Sequence, residues 1–185
     1  MAYTKENFLV GLRKAVVAKM IGTPSAVVYG TTYQLEVANM ATVTAEPVTD
    51  RLEGDDSRSA LYATFVGGTI HLEFAFKSLS VYQALFGSTV IDSSTYQQLP
   101  ITNTIMPYFG LNMEVVDQDG IMSADLWVPL CKVQGNVGFP VQYGKYWRMS
   151  FDAQFILCSD TRYPYHFDII EHSGVVAPTI PPTYS

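Results

Sequence analysis

Charged side chains are scarce in this chain, making up 15% of its 185 residues, with 11 Lys and Arg against 17 Asp and Glu. Holding a phosphate backbone takes clustered cations, so a formal net charge of -6 argues against nucleic-acid binding along the whole sequence. Cysteine is almost missing. Cys131 and Cys158 cannot form a disulfide framework, and each sits in a strand-like run where a buried thiol is expected, compatible with a reducing cytoplasm. Long uninterrupted apolar runs are lacking as well: residues 8–21 are broken by Arg13, Lys14 and Lys19, which fits neither a signal sequence nor a membrane span. A soluble, unprocessed chain without membrane attachment is expected.

Catalytic signatures are also lacking. There is no Gly-x-Ser-x-Gly elbow and no Walker-type loop, and the Gly135/Gly138 pair opens no helix that could receive an anion. His166, Asp168, Glu171 and His172 have a spacing that could supply metal ligands, but no cysteine pair or helical pattern supports it, and a polar strand is the simpler reading. The run Glu53-Gly54-Asp55-Asp56 lacks the alternation of a calcium loop and has Arg51 and Arg58 as ionic partners. The expectation is a protein that is not an enzyme and carries no cofactor or metal.

What the chain has in quantity is aromatic surface, 12 Tyr and 10 Phe, which with so little charge suggests surface that becomes interface. Its length suits one domain. Residues 12–21 read as a strand, although Leu12, Val16, Val17 and Met20 also share a helical face. A long strand over 33–45, bulged near Asn39, follows the Thr23-Pro24-Ser25 turn. Residues 46–58 then have little to bury and read as a long exposed loop. Residues 59–66 and 69–76 read as a hairpin turning at Gly67-Gly68, with Leu61, Ala63, Phe65, Ile70, Leu72 and Phe74 on its core face. Ser78 is placed to cap a helix whose Leu79, Tyr82, Leu85 and Phe86 share a face that would dock on that hairpin, and Gly87 ends it. Residues 88–105 read as loop with one edge strand. A second hairpin turns at residues 117–120 between strands near 111–115 and 124–133. Residues 135–144 form a connection, and 146–158 form a strand with Trp147, Met149, Phe151, Ala153, Phe155 and Leu157 on one side. Tyr163, Tyr165 and Phe167 are either a ligand platform or core cover, core being favoured. After residue 161 the prolines deny regular pairing, and the last dozen residues read as an extended arm. The fold class is mainly β, with one short helix.

The order of these parts resembles the major tail proteins, or tail tube proteins, of long-tailed, non-contractile bacteriophages. The resemblance rests on an early strand, the loop with Glu53-Gly54-Asp55-Asp56, Gly67-Gly68, Leu72-Glu73-Phe74 and the run from Leu79 to Gly87. Tyr108-Phe109-Gly110-Leu111, Leu126 to Val133 and Phe139 to Gly144 before a long strand agree with it. It implies a β-sandwich or half-barrel over residues 11–160 with one flanking helix, preceded by an N-terminal arm over 1–10; residues 161–185 match no motif of that family and read as a C-terminal strand and extended arm. It further implies hexameric rings stacked into a tube in the virion, built in the bacterial host cytoplasm. DNA would pass through without sequence-specific binding, and other phage tail proteins would be partners. Asp50, Arg51, Glu53, Asp55, Asp56 and Arg58 would then reach neighbouring subunits or rings. Glu36, Glu73, Glu114, Asp152 and Gln154 lie on polar strand faces and are candidates to line the channel, where a negative wall lets phosphate slide. The competing readings are another tube-forming protein, such as a contractile-tail or secretion-type tube, or a tail completion protein forming a single ring, and a monomeric β-sandwich that binds carbohydrate through exposed aromatics.

Overall fold

The computed structural model describes residues 9–35, 40–52, 60–75, 79–100, 105–117, 119, 121–138 and 148–182. In chain order the elements are β1 (Leu9–Met20), β2 (Tyr29–Leu35), β3 (Met40–Leu52), β4 (Ala60–Ala75), α1 (Leu79–Phe86), β5 (Ile91–Asp92), β6 (Gln97–Gln98), β7 (Tyr108–Asp117), β8 (Ser123–Gly138), β9 (Arg148–Ile156) and β10 (Asp168–His172). All pairings are antiparallel, in the order β2-β1-β7-β8-β9-β4-β3, and β5 and β6 form a separate small ribbon. One edge of β8 takes β7. The other is divided, with β9 on residues 131–138 and β10 on residues 123–127.

Connectivity forces this sheet to fold over. β2 and β3 stand at opposite ends of the strand order, yet the step from Leu35 to Met40 can reach at most about 18 Å. Laid flat, the two outer strands would stand about 29 Å apart. The sheet therefore closes on itself as a half-barrel, or β-sandwich, with β1 and β7 facing β3, β4 and β9. Between the layers lie Val17, Leu111 and Met113 from one side and Ile70, Leu72, Phe74, Met149, Phe151 and Phe155 from the other. Phe151 meets Phe74 and Phe109 edge to face, at centroid distances of 5.9 and 6.3 Å, a favoured aromatic geometry.

Helix α1 closes this core with Val81, Tyr82, Ala84, Leu85 and Phe86 buried. Its end matches the sequence reading, since Gly87 has φ +73° and its N–H bonds to the Gln83 carbonyl at 3.0 Å. The helix packs mainly on β1, β2, β7 and β8, not on a β4 hairpin, although Tyr82 keeps a ring contact with Phe74. Strand β9 follows its alternation from Met149 to Phe155. Leu157, beyond the strand, is 52% exposed, and Trp147 lies outside the described residues. Both cysteines are free and buried.

Four expectations are corrected. Gly67-Gly68 is no turn: β4 runs straight through it. A Cβ on Gly68 would stand 2.2 Å from the Thr44 carbonyl oxygen and 2.5 Å from the Phe155 ring, and one on Gly67, at φ +152°, 2.6 Å from the Phe155 carbonyl oxygen. The pair thus answers close approach by both neighbouring strands, at a bulge where Glu46 pairs with Gly67 and Pro47 with Phe65. Residues 46–52 are strand, not loop, because they pair with residues 60–67; Glu53, Asp55, Asp56 and Arg58 lie outside the described residues. The expected strand over 33–45 is split into β2 and β3, at opposite margins. Finally, the chain end folds back: β10 pairs with β8, and Asn112 Nδ2 donates to the Thr179 carbonyl at 3.0 Å.

Candidate functional site

Two margins and one polar face make up the candidate assembly surface. Among the described residues β2 pairs only with β1, and β3 only with β4, so each presents an unpaired edge. On β2 the side chains of Thr31, Thr32 and Gln34 are exposed. The first half of β4 adds a second feature, since β9 pairs with residues 67–75 only. Residues 47–52 and 60–66 therefore continue as a two-stranded ribbon past the edge of the sheet, with Asp50 opposite Tyr62 and Arg51 opposite Leu61. A two-stranded ribbon alone is marginal in water, and an open strand edge is a template for another chain.

The polar face spans β3, β4, β9 and β8. Register places Thr42, His71 and Asp152 side by side, and likewise Thr44, Thr69, Gln154 and Lys132. His71 Nδ1 lies 2.6 Å from Asp152 Oδ1, Arg148 Nη1 donates to Glu73 Oε1 at 3.0 Å, and Lys132 sits over the Tyr108 ring. Glu73, Asp152 and Gln154, three of the five lining candidates, thus share one surface. Among the described residues it holds, with Glu46, three carboxylates against the two permanent cations Lys132 and Arg148, a weakly acidic balance. Glu36 lies outside the described residues, and Glu114 is elsewhere.

Glu114 has no exposed surface. It lies with Asn112, Asp125, Ser123 and His172 on the second face of β7 and β8, which the returning chain end covers. Asn112 Nδ2 donates to Asp125 Oδ2 at 2.8 Å, and His172 Nε2 lies 3.5 Å from the same oxygen. Burial pushes the Glu114 carboxyl above its ordinary range, against the opposing pull of Arg13, whose Nη1 is 3.5 Å away. Alternation alone placed Asn112 and Glu114 on a polar strand face, with Glu114 a candidate for the channel lining, because nothing near them in sequence announces a later segment as their cover. In β10 the same alternation turns His172 inward and Glu171 outward, which takes Glu171 away from His172. Among the described residues no group of three or more potential ligands could hold a metal ion.

A third cluster fixes the loop between β1 and β2. Asp160 accepts hydrogen bonds from the Val27 N–H at 2.6 Å and from Arg162, which also donates to the Val27 carbonyl at 2.6 Å. Arg162 and these backbone donors hold the Asp160 carboxyl well below the usual range. Beside it Tyr29 donates to the Pro129 carbonyl at 2.7 Å and meets Trp127 edge to face; burial drives its phenol pKa upward. Tyr163 packs on Trp127 at 6.1 Å, so that tyrosine serves as core cover. No described helix is long and apolar enough to cross a membrane.

No family model and no curated protein matches this chain. Among solved structures it is similar to a chain of the anti-feeding prophage baseplate, determined by cryo-EM with 6-fold symmetrisation, at 10% identity and a TM-score of 0.42, over 84% of this chain and 99% of that one.

Proposed function

We propose that this chain is a structural subunit of a phage tail tube. Copies join margin to margin into hexameric rings, and the rings stack into a channel for DNA in the virion. The observation that carries the reading is that both sheet margins are unpaired among the described residues, together with the ribbon that overhangs one of them. Pairing the β2 edge of one copy with the β3 edge of the next would satisfy both rows of backbone groups at once, and repetition of that head-to-tail contact by rotation gives a closed ring. The resemblance in part order to major tail proteins supports the same assignment. The polar face is suited to a channel wall, because its weak acidity neither binds phosphate by counterion release nor repels it strongly. The ribbon is placed to contact an adjacent ring, and other tail proteins would bind the ends of the tube. Nothing in the proposed role calls for catalysis or a cofactor.

Negative-stain imaging of the purified chain at increasing concentration tests the reading directly. Tubes with six-fold end views are expected. Isolated rings would reassign the chain to a completion role, and a monomer at every concentration would overturn the proposal.

A further inference from the structure

Glu114 and Asp125 are register partners on β7 and β8, so their carboxyls leave the sheet side by side, both essentially without exposure. The groups around them come from every neighbouring element. β1 supplies Arg13 and Lys14, the latter in register with Glu114; β7 supplies Asn112; β10 supplies His172. Residues 173–182 cross over the pair. At one end Ser123 Oγ donates to the Gly174 carbonyl and accepts from the Val176 N–H, both at 3.1 Å, and at the other Asn112 Nδ2 donates to the Thr179 carbonyl. Ser123 pairs with Val116 and Asn112 with Trp127, so the Glu114–Asp125 rung lies midway beneath this path. The crossing segment, Ser-Gly-Val-Val-Ala-Pro-Thr-Ile-Pro-Pro, contains no ionisable side chain to offset charge below it.

We propose that residues 173–182 form a pH-sensitive strap, which lies flat while the Glu114 carboxyl beside Asp125 is protonated and lifts when Glu114 loses its proton. A Glu114 carboxylate formed in this buried site, next to a second carboxyl, lacks hydration and meets a like group. Water reaches them most easily by displacing this segment, which is held by side-chain hydrogen bonds from Ser123 and Asn112, since the β7–β8 and β8–β10 ladders run unbroken at this rung, while β1–β7 is irregular between Leu12 and Lys14. The raised Glu114 pKa places the flat form on the acid side: strap protection is full below the ordinary carboxylate range and falls as pH rises through the raised value.

Amide exchange at the Val176 N–H, normalised to the intrinsic rate at each pH, tests this in the full chain. Protection is expected to fall about tenfold or more as pH rises from the ordinary carboxylate range into the alkaline range. Glu114→Gln removes the titrating group and should give high, pH-independent protection. Arg13→Gln, at a half-exposed position where folding is safe, removes a cation that opposes the proton, so the midpoint should move to higher pH. A wild-type profile without pH dependence, an undiminished fall in Glu114→Gln, or an unmoved midpoint in Arg13→Gln would each overturn the proposal. A strap with a purely structural role would leave that midpoint where it was.

Discussion

Asp160 and Glu114 are both nearly inaccessible carboxylates, and they act on stability with opposite sign. Asp160 accepts four hydrogen bonds, three of them from Arg162, so its pKa is depressed on folding. Its contribution is present above the unfolded Asp value of about 4 and is lost as pH falls toward the depressed folded value. Asp160→Asn should therefore lower Tm at neutral pH and flatten the acid limb of the Tm profile; an unchanged acid limb would show that the clasp carries no linkage. Glu114, with its pKa raised by burial, favours the fold below about pH 4 and loses that contribution as pH rises. Glu114→Gln should raise Tm near neutrality and leave it little changed in acid. Phe151 is the residue at the centre of the packing, touching rings from two other strands. Its truncation to Ala should cost about 3–5 kcal/mol, read from the urea midpoint.

Among the elements, β4 is the one whose sequence supports two structures. A Gly-Gly pair between alternating apolar runs fits a two-residue turn, and it fits equally a strand interior where neighbouring backbones crowd in. The choice depends on Thr44 and Phe155, which sit 24 and 87 positions away from Gly68 and leave no local mark. Gly68→Ala should lose about 1–3 kcal/mol of stability through overpacking against the Thr44 carbonyl and the Phe155 ring. Chemical denaturation that finds Gly68→Ala as stable as wild type would refute the through-strand account. Where burial on one face sets the pattern alone, as in β9 and in α1 with Gly87, the local sequence was sufficient. It was insufficient where distant chain decides, as in the pairing order, the division of 33–45 between opposite margins, and the covering of Asn112 and Glu114 by residues 173–182. The same reason explains the lining candidates. Glu73, Asp152 and Gln154 come together because register aligns exposed polar positions of β4 and β9, while Glu114 obeys the same alternation on a face that is later sealed.

For the whole molecule, the decisive quantity is the number of backbone groups left unpaired along β2, β3 and the ribbon. In the proposed assembly these groups would exchange water for a partner edge, with desolvation of whatever flanks them. Net gain per hydrogen bond is only about 0.5–1.5 kcal/mol, so a ladder must be continuous to hold a ring together. A pair of exposed β2 positions tests that continuity without touching the core. Thr32→Lys with Gln34→Lys sets two cations on the edge, the device by which natural sheets prevent edge pairing. The double variant should keep the wild-type Tm and sediment as a monomer under conditions where wild type polymerises. Reversal of Glu73 and Asp152 to Lys, on the face and away from the margins, should do the contrary: tubes should form, and DNA should be retained by them in a filter-binding assay at low salt and released at high salt. If the edge variant polymerises normally while the face variant does not, then copies meet through the polar face, and the margins of the sheet have no part in assembly.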